Sequence, residues 1–356
     1  MNKNLALARP EIIALQPYQH AAWQPTLERL HANEMAWPPP GDRSSHGLNH
    51  YPEPQPKPLL ERLAALYEVK REQVLVGRGS DEGIDLLIRA FCRASQDQIL
   101  VCPPTYSMYR VTANIQGAGT LEVPLQAGFV LDRKAVLAAW RDGVKLIFLC
   151  SPNNPTGNTL AVEEIRMLCR DLDGKALIVV DEAYVEFAHT ESLAKSLDAH
   201  PNLVVLRTLS KAYALAGARC GAVLAHPEIV SLLARIIQPY AMPSPTIDAA
   251  MEFTAPAAVT ELRKRISIIR DERDKLVAAL RRLPIIRHVW PSEANFLLLD
   301  CADANAVLNA AMQVGLIIRD QRSQKALPNG VRISIGTPEQ NTRLLRGLAQ
   351  ATGAAA

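Results

Sequence analysis

The stretch TLSKAYALAGARCG, residues 208–221, sets one lysine among small and apolar residues, with Arg219 eight positions on and no neighbouring acid. Apolar surroundings disfavour an ammonium, so the pKa of Lys211 falls and its neutral amine can condense with a carbonyl to a Schiff base. Ser210 and Arg219 add a hydroxyl and a guanidinium, a pair suited to a phosphate, which arginine grips through two N–H groups. Taken alone, a lysine is most often solvated, and that reading stands beside the reactive one.

Three further stretches carry candidate chemistry. VGRGSDEGIDLL (76–87) reads as a strand, a glycine-rich turn and a helix start, where free N–H groups at Ser80 and Asp81 favour a phosphate. A plain helix cap with Asp81 in its first turn explains it equally well. The Asp81 carboxylate would repel a phosphate unless only its backbone faces the ligand. The Gly77, Gly79 and Gly83 spacing misses the dinucleotide fingerprint by one residue, and no acid ends the next strand, which argues against a nicotinamide cofactor. SPNNPTG (151–157) is a turn in which Asn154 can donate to a ring oxygen. VVDEAY (179–184) ends an apolar run in two acids, costly to bury unless paired, and a ligand cation such as a protonated pyridine nitrogen would pair one of them. A turn-capping acid is the alternative.

Other patterns are weaker. His46 and His50 lie in a proline-rich loop without further ligands, so we expect no metal. Glu163/Glu164 and Asp271/Glu272 fall on charged helical faces and are expected to be solvated. No GxSxG elbow or Cys/His pairing suggests a hydrolase. Cys92, Cys102, Cys150, Cys169, Cys220 and Cys301 are scattered singly through apolar segments, the usage of buried thiols in a reducing cytoplasm.

Elements must bring these residues together. Apolar, β-branched runs at 73–76, 98–104, 144–152, 176–184 and 202–210 alternate with amphipathic segments at 81–94, 106–117 and 161–172. That alternation predicts a mostly parallel sheet covered on both faces, with a further strand over 221–227. Ligands of such sheets bind beyond the carboxyl ends of the strands, where Ser80, Asp81, Tyr106, Asn154, Asp181, Tyr184, Ser210 and Lys211 all fall. A polar-rich helix over 261–283 then leads to a shorter α+β tail. The expected fold is a three-layer α/β/α large domain over 46–250 with a smaller α+β domain over 251–356. Residues 1–45 form an arm contributing to the small domain and the entrance, and 36–58 an irregular connector.

The chain has 356 residues and a formal net charge of +3, with basic residues too scattered to suggest nucleic acid or a membrane surface. No apolar run approaches the roughly 20 residues that span a bilayer. The start, MNKNLALARPEII, lacks the apolar core and cleavage site of a secretory signal, so the expected location is cytoplasmic.

In order and spacing, SPNNPTG, VVDEAY and TLSKAYALAGAR resemble the pyridoxal 5'-phosphate-dependent aminotransferases of fold type I, class II. PYQ (17–19), ANE (32–34), NHYPEPQPK (49–57), RGSDEGIDLLIRAFC (78–92), CPPTYSMY (102–109), LIIRD (316–320) and RISIGT (332–337) extend the resemblance to the histidinol-phosphate aminotransferase family along nearly the whole chain. The resemblance implies that Lys211 bonds the cofactor and shuttles a proton, and that Asp181 keeps the pyridine nitrogen protonated. It implies that Tyr184 and Asn154 hold the ring's 3-oxygen and Tyr106 stacks on the ring. Ser80, Asp81, Ser210 and Arg219 would hold the phosphate. Tyr51 would reach that phosphate across a homodimer interface. Arg319 and Arg332 would grip the substrate's anionic end, with Tyr18 and Asn33 at its entrance. The implied substrates are histidinol phosphate and 2-oxoglutarate or glutamate. The family's LNANE and RYPE read LHANE and HYPE here, placing His31 and His50 where asparagine and arginine are familiar and putting substrate fit in question. Three alternatives stand beside it: an aromatic amino acid aminotransferase, a threonine-phosphate decarboxylase, and a non-catalytic binding protein of the same fold.

Overall fold

The runs of Val, Ile and Leu in the middle of the chain become strands buried on both sides, which is why they show no polar alternation. In the computed structural model, which describes residues 2–19, 24 and 27–351, seven strands form the main sheet. They are β1 (Val74–Gly77), β2 (Gln98–Val101), β3 (Gly119–Glu122), β4 (Val144–Cys150), β5 (Leu177–Asp181), β6 (Leu203–Thr208) and β7 (Gly221–Ala225). Their order is β1-β7-β6-β5-β4-β2-β3. All pairs are parallel except those made by β7, which runs against both β1 and β6.

Eleven α-helices are present among the described residues: α1 (Pro10–Ile13), α2 (Lys57–Tyr67), α3 (Ser80–Phe91), α4 (Met108–Gln116), α5 (Arg133–Ala139), α6 (Val162–Asp171), α7 (Pro227–Leu233), α8 (Ser244–Phe253), α9 (Pro256–Leu280), α10 (Ala304–Gln313) and α11 (Pro338–Ala351). Successive residues of a strand point to opposite faces, and both faces of this sheet are covered. Ile147, Ile178, Val180 and Val205 pack with Leu59 and Leu63 of α2 and Ile165 and Leu168 of α6. Phe148, Leu177, Val179 and Leu206 pack with Ile84 and Leu87 of α3, Tyr109 of α4 and Ile229 of α7. Each such fully buried aliphatic side chain contributes about 1.5–3 kcal/mol.

A second, antiparallel sheet has the order β10-β11-β9-β8, with β8 (Ile286–Val289), β9 (Phe296–Cys301), β10 (Arg319–Asp320) and β11 (Gly330–Ser334). Its core, Leu297, Leu299, Val331 and Ile333, is capped by Leu276 and Leu280 of α9, Val307 of α10 and Leu344 and Leu348 of α11.

Several sequence expectations are revised. The polar-rich helix begins at Pro256, five residues early, because proline suits the first helical turn. Strand β3 went unread because GTLE is a partly exposed edge with little apolar content. Only Arg319–Asp320 of GLIIRD pair as a strand. Glu272 is buried rather than solvated, held by Lys275 at 2.9 Å and Asn341 at 2.9 Å. The first residues of the arm dock on the large sheet's layers, not on the small domain: the Arg9 N–H donates to the Ala90 carbonyl and Asn2 Nδ2 to that of Pro201, each at 2.9 Å. The chain is irregular from 36 to Pro56, as expected, and all six cysteines are free and buried. The terminal Ala/Gly stretch lies outside the described residues.

Candidate active site

A cavity of about 550 Å³ opens at the carboxyl edge of the main sheet. Strands β1, β2, β4, β5 and β6 all end there, and each is followed by a loop or helix start that turns a side chain into it. Ser80 and Asp81 come from the start of α3, Tyr106 from the β2–α4 loop, and Asn154 from the loop after β4. Asp181 and Tyr184 come from the end of β5, and Ser210 and Lys211 from the end of β6. Because β7 runs antiparallel to β6, its start returns to the same edge, with Thr208 paired to Gly221, and so delivers Arg219. Arg319 and Arg332 close the cavity from the small sheet.

Asp181 is 3 % exposed, and burial pushes its carboxyl up to about 6. Tyr109 donates to its Oδ2 at 2.8 Å and the Ala183 N–H to its Oδ1 at 3.1 Å, both favouring the ionised form; Asp81 opposes ionisation and Lys211 supports it. Tyr109 is fully buried, stacked 4.8 Å from Phe148. The sequence did not single out this residue, although it lies three positions beyond Tyr106 in CPPTYSMY, and the two rings meet edge-on with centroids 5.5 Å apart.

Lys211 is open to cavity solvent, yet the walls around it desolvate its ammonium. Desolvation and then repulsion by Arg332 hold its pKa below the usual lysine range; Arg219 adds to this, while Asp81 and Asp181 pull the other way. Its Nζ stands 5.6 Å from the Tyr184 ring centroid.

At the α3 end, Gly79 has φ 94° and ψ 171°, a conformation open essentially only to glycine. A Cβ there would come within 2.8 Å of Arg219 Nη2. Arg219 donates to Ser210 Oγ at 3.2 Å and approaches the Asp81 carboxylate at 3.5 Å. Tyr106 donates to that same carboxylate at 3.0 Å. The side chain of Asp81 therefore lines the cavity, whereas a phosphate there is expected to meet its backbone alone.

Arg332 donates to Asn154 Oδ1, which leaves the Asn154 amide nitrogen to donate elsewhere. Arg319 and Arg332 are directly opposed across β10 and β11. Burial, then the proximity of Arg319, lowers the pKa of Arg332, with Tyr184 opposing.

Tyr18, Asn33 and Tyr51 do not line this cavity. Tyr51 is about half exposed and stacks on Tyr240 with ring centroids 4.5 Å apart. It lines a separate hollow of about 450 Å³ together with Asn33, Glu34 and His50. His50 pairs with Glu34 at 3.0 Å, the same carboxylate that accepts from the Tyr51 N–H. Tyr18 is well exposed.

The chain is 45 % identical over 357 residues to the histidinol-phosphate aminotransferase of Stenotrophomonas maltophilia, covering 99 % of this chain and 98 % of that one. It is 48 % identical to the enzyme of that name from Xylella fastidiosa, over 89 % of this chain and 87 % of the other. Among solved structures, histidinol-phosphate aminotransferase from Sinorhizobium meliloti in complex with pyridoxal-5'-phosphate superposes with a TM-score of 0.77 at 25 % identity, over 85 % of this chain and 83 % of that one. The family model for aminotransferases of class I and II matches residues 18–348, and with relatives of this identity over nearly its full length the chain belongs to that family.

Proposed function

We propose that this chain is a transaminase that uses pyridoxal 5'-phosphate to exchange an amino group between L-histidinol phosphate and 2-oxoglutarate by a ping-pong route. One observation carries the substrate reading: two arginines face each other directly across β10 and β11 at the wall of the Lys211 cavity. Like charges so placed repel, and a phosphate dianion between them converts that repulsion into two charge-assisted contacts. The names of the relatives agree with it.

The residues present fit the cofactor. A nearly unexposed carboxylate at the end of β5 needs a cation, and a protonated ring nitrogen supplies one. The start of α3, Gly79, Ser210 and Arg219 make a phosphate cradle. When bound, pyridoxal 5'-phosphate supplies an electron sink for the electrons left as the substrate Cα–H bond breaks.

The chain's own groups do the rest. Asp181, oriented by Tyr109, would keep the ring nitrogen protonated. Lys211, whose pKa is lowered by desolvation and by Arg332, would be the amine that bonds the cofactor and the base that moves the proton from Cα. Asn154, turned by Arg332, and Tyr184 would hydrogen-bond the ring's 3-oxygen, and Tyr106 would cover a ring face. Arg319 and Arg332 anchor the substrate's phosphate, which orients Cα toward Nζ of Lys211.

Tyr51 does not line the Lys211 cavity of its own chain, so in this reading it completes the site of a second copy, where Tyr18 and Asn33 would line the entrance. Leu27, Leu30, Met35, Trp37, Leu48 and Tyr51 are each exposed within 27–51, apolar surface of the kind that a homodimer would cover. The division into an arm, a large domain to 250 and a small domain from 251, and a cytoplasmic location, belong to the same proposal. Sedimentation of holoenzyme at monomer mass would overturn the dimer.

The deciding experiment gives holoenzyme histidinol phosphate, phenylalanine and threonine phosphate separately. We expect the highest kcat/KM with histidinol phosphate and no carbon dioxide release. Faster turnover of phenylalanine, or decarboxylation of threonine phosphate, would sink the assignment.

A further inference from the structure

A ping-pong transaminase must seat two different side chains in one place, and this cavity holds a cation that the proposed chemistry leaves unused. Among the described residues lining it, the cations are Arg110, Lys211, Arg219, Arg319 and Arg332. Lys211 answers the carbonyl, Arg219 the cofactor phosphate, and Arg319 with Arg332 the substrate's anionic end. Arg110 remains.

Arg110 stands in the first turn of α4, four residues beyond Tyr106, and its Nη1 donates to Glu122 Oε1 of edge strand β3 at 3.0 Å. It stands where a side cavity of about 200 Å³ joins the main one. The two share Thr105, Tyr106, Ser107, Arg110, Ser323 and Gln324, and Glu122 lines only the side cavity, as does Lys325. The side chains of Arg110 and Glu122 are 54 % and 35 % exposed, so water screens their attraction and the pair opens at little cost.

We propose that Arg110 and Glu122 form a second recognition point, at which Arg110 leaves Glu122 to bind the distal carboxylate of a dicarboxylic 2-oxo acid. This rests on the transamination proposed above. An imidazole titrates near 6.5 and is neutral or cationic at working pH. A free cation at that end would repel it in its charged form. A fixed anion would repel a dicarboxylate. A weakly held Arg–Glu pair presents neither charge to the imidazole, and exposed side chains change rotamer within nanoseconds, so it yields its guanidinium when a carboxylate arrives.

The test compares wild-type, R110Q, R110K and E122Q holoenzymes with 2-oxoglutarate and with pyruvate, which lacks the distal carboxylate. For R110Q the ratio of kcat/KM for 2-oxoglutarate to that for pyruvate should fall about tenfold or more, the loss of one charge-assisted contact. R110K should recover part of the ratio, and E122Q, which frees Arg110, should raise it. A ratio unchanged in R110Q, or an equal loss with both acids, overturns the proposal. The ratio is measurable with whichever amino donor the enzyme accepts. Failure with histidinol phosphate would therefore count against the proposed function and leave this inference to stand or fall separately.

Discussion

Replacing Asp181 by asparagine should stabilise the cofactor-free protein at neutral pH while disabling the enzyme. The carboxyl of Asp181 is buried beneath the cavity floor, and desolvation pushes it up to about 6 from an ordinary value near 3.8. The hydrogen bonds from Tyr109 and the Ala183 N–H offset only part of that. A difference of about two units corresponds to about 3 kcal/mol. Between pH 4 and 6 the folded protein holds this proton more tightly than the unfolded chain, so wild-type stability is lost as pH rises through that window. Below pH 4 both states are protonated and the penalty vanishes; above about 6 it is complete. An asparagine keeps the shape and has no charge to bury. The stability of D181N minus that of wild type should therefore climb by about 3 kcal/mol between pH 4 and 7 and then level. Urea denaturation of the two apo-proteins in matched buffers measures it, and subtraction removes the titrating groups that do not interact with Asp181. A difference that stays flat with pH, or that falls, would refute the reasoning. Adding the cofactor should reverse the order, since its ring cation stabilises the wild-type carboxylate and has nothing comparable to meet in D181N.

Two further substitutions probe the ends of the site. R319Q removes one of two opposed guanidiniums; apo stability should hold or rise by about 0.2–1 kcal/mol. The KM for histidinol phosphate should rise about tenfold to a hundredfold, as expected for a lost charge-assisted contact of about 1.5–3 kcal/mol. Steady-state kinetics beside urea denaturation read both effects, and an unchanged KM would count against the phosphate grip. G79A forces a Cβ into a conformation costing about 1–3 kcal/mol and toward Arg219 Nη2. Cofactor affinity, followed by titrating apo-protein, should weaken at least about tenfold, and full retention would contradict the cradle.

Much of this arrangement was legible in the sequence because it rests on local pattern. Unbroken Val/Ile/Leu runs announced β4, β5 and β6, and the polar residue just past each run announced the cavity wall. What escaped depends on the third dimension. Tyr109 looks like any core aromatic until Asp181 is found 2.8 Å from its hydroxyl. The Arg319–Arg332 opposition requires the register of β10 on β11, and β10 is only two residues long. Arg110 and Glu122 meet only because an edge strand with little apolar content pairs beside β2. The docking of the arm's first residues was not legible because its anchors, such as the Ala90 and Pro201 carbonyls, are backbone groups without a sequence signature.

The two acids of VVDEAY show how one periodicity both builds the sheet and divides its chemistry. Neighbouring residues on an extended chain face opposite ways, so Asp181 and Glu182, at the same strand end, enter different layers. Asp181 falls on the side of Tyr109 and Phe148 and looks into the cavity. Glu182 falls on the other side, with Arg207 of β6 at 3.6 Å, Ser192 Oγ and the Leu193 N–H. Arg207 also pairs with Glu186 at 2.6 Å and lies 4.4 Å from the Tyr67 ring centroid. That second acid thus has a buried arginine 3.6 Å away, which it shares with Glu186, whereas the first has hydrogen bonds and, among the described residues, no ion pair of its own, with Lys211 acting on it only through the cavity. Of two adjacent buried carboxylates, the one without an arginine partner is the one shaped to receive a ligand's charge.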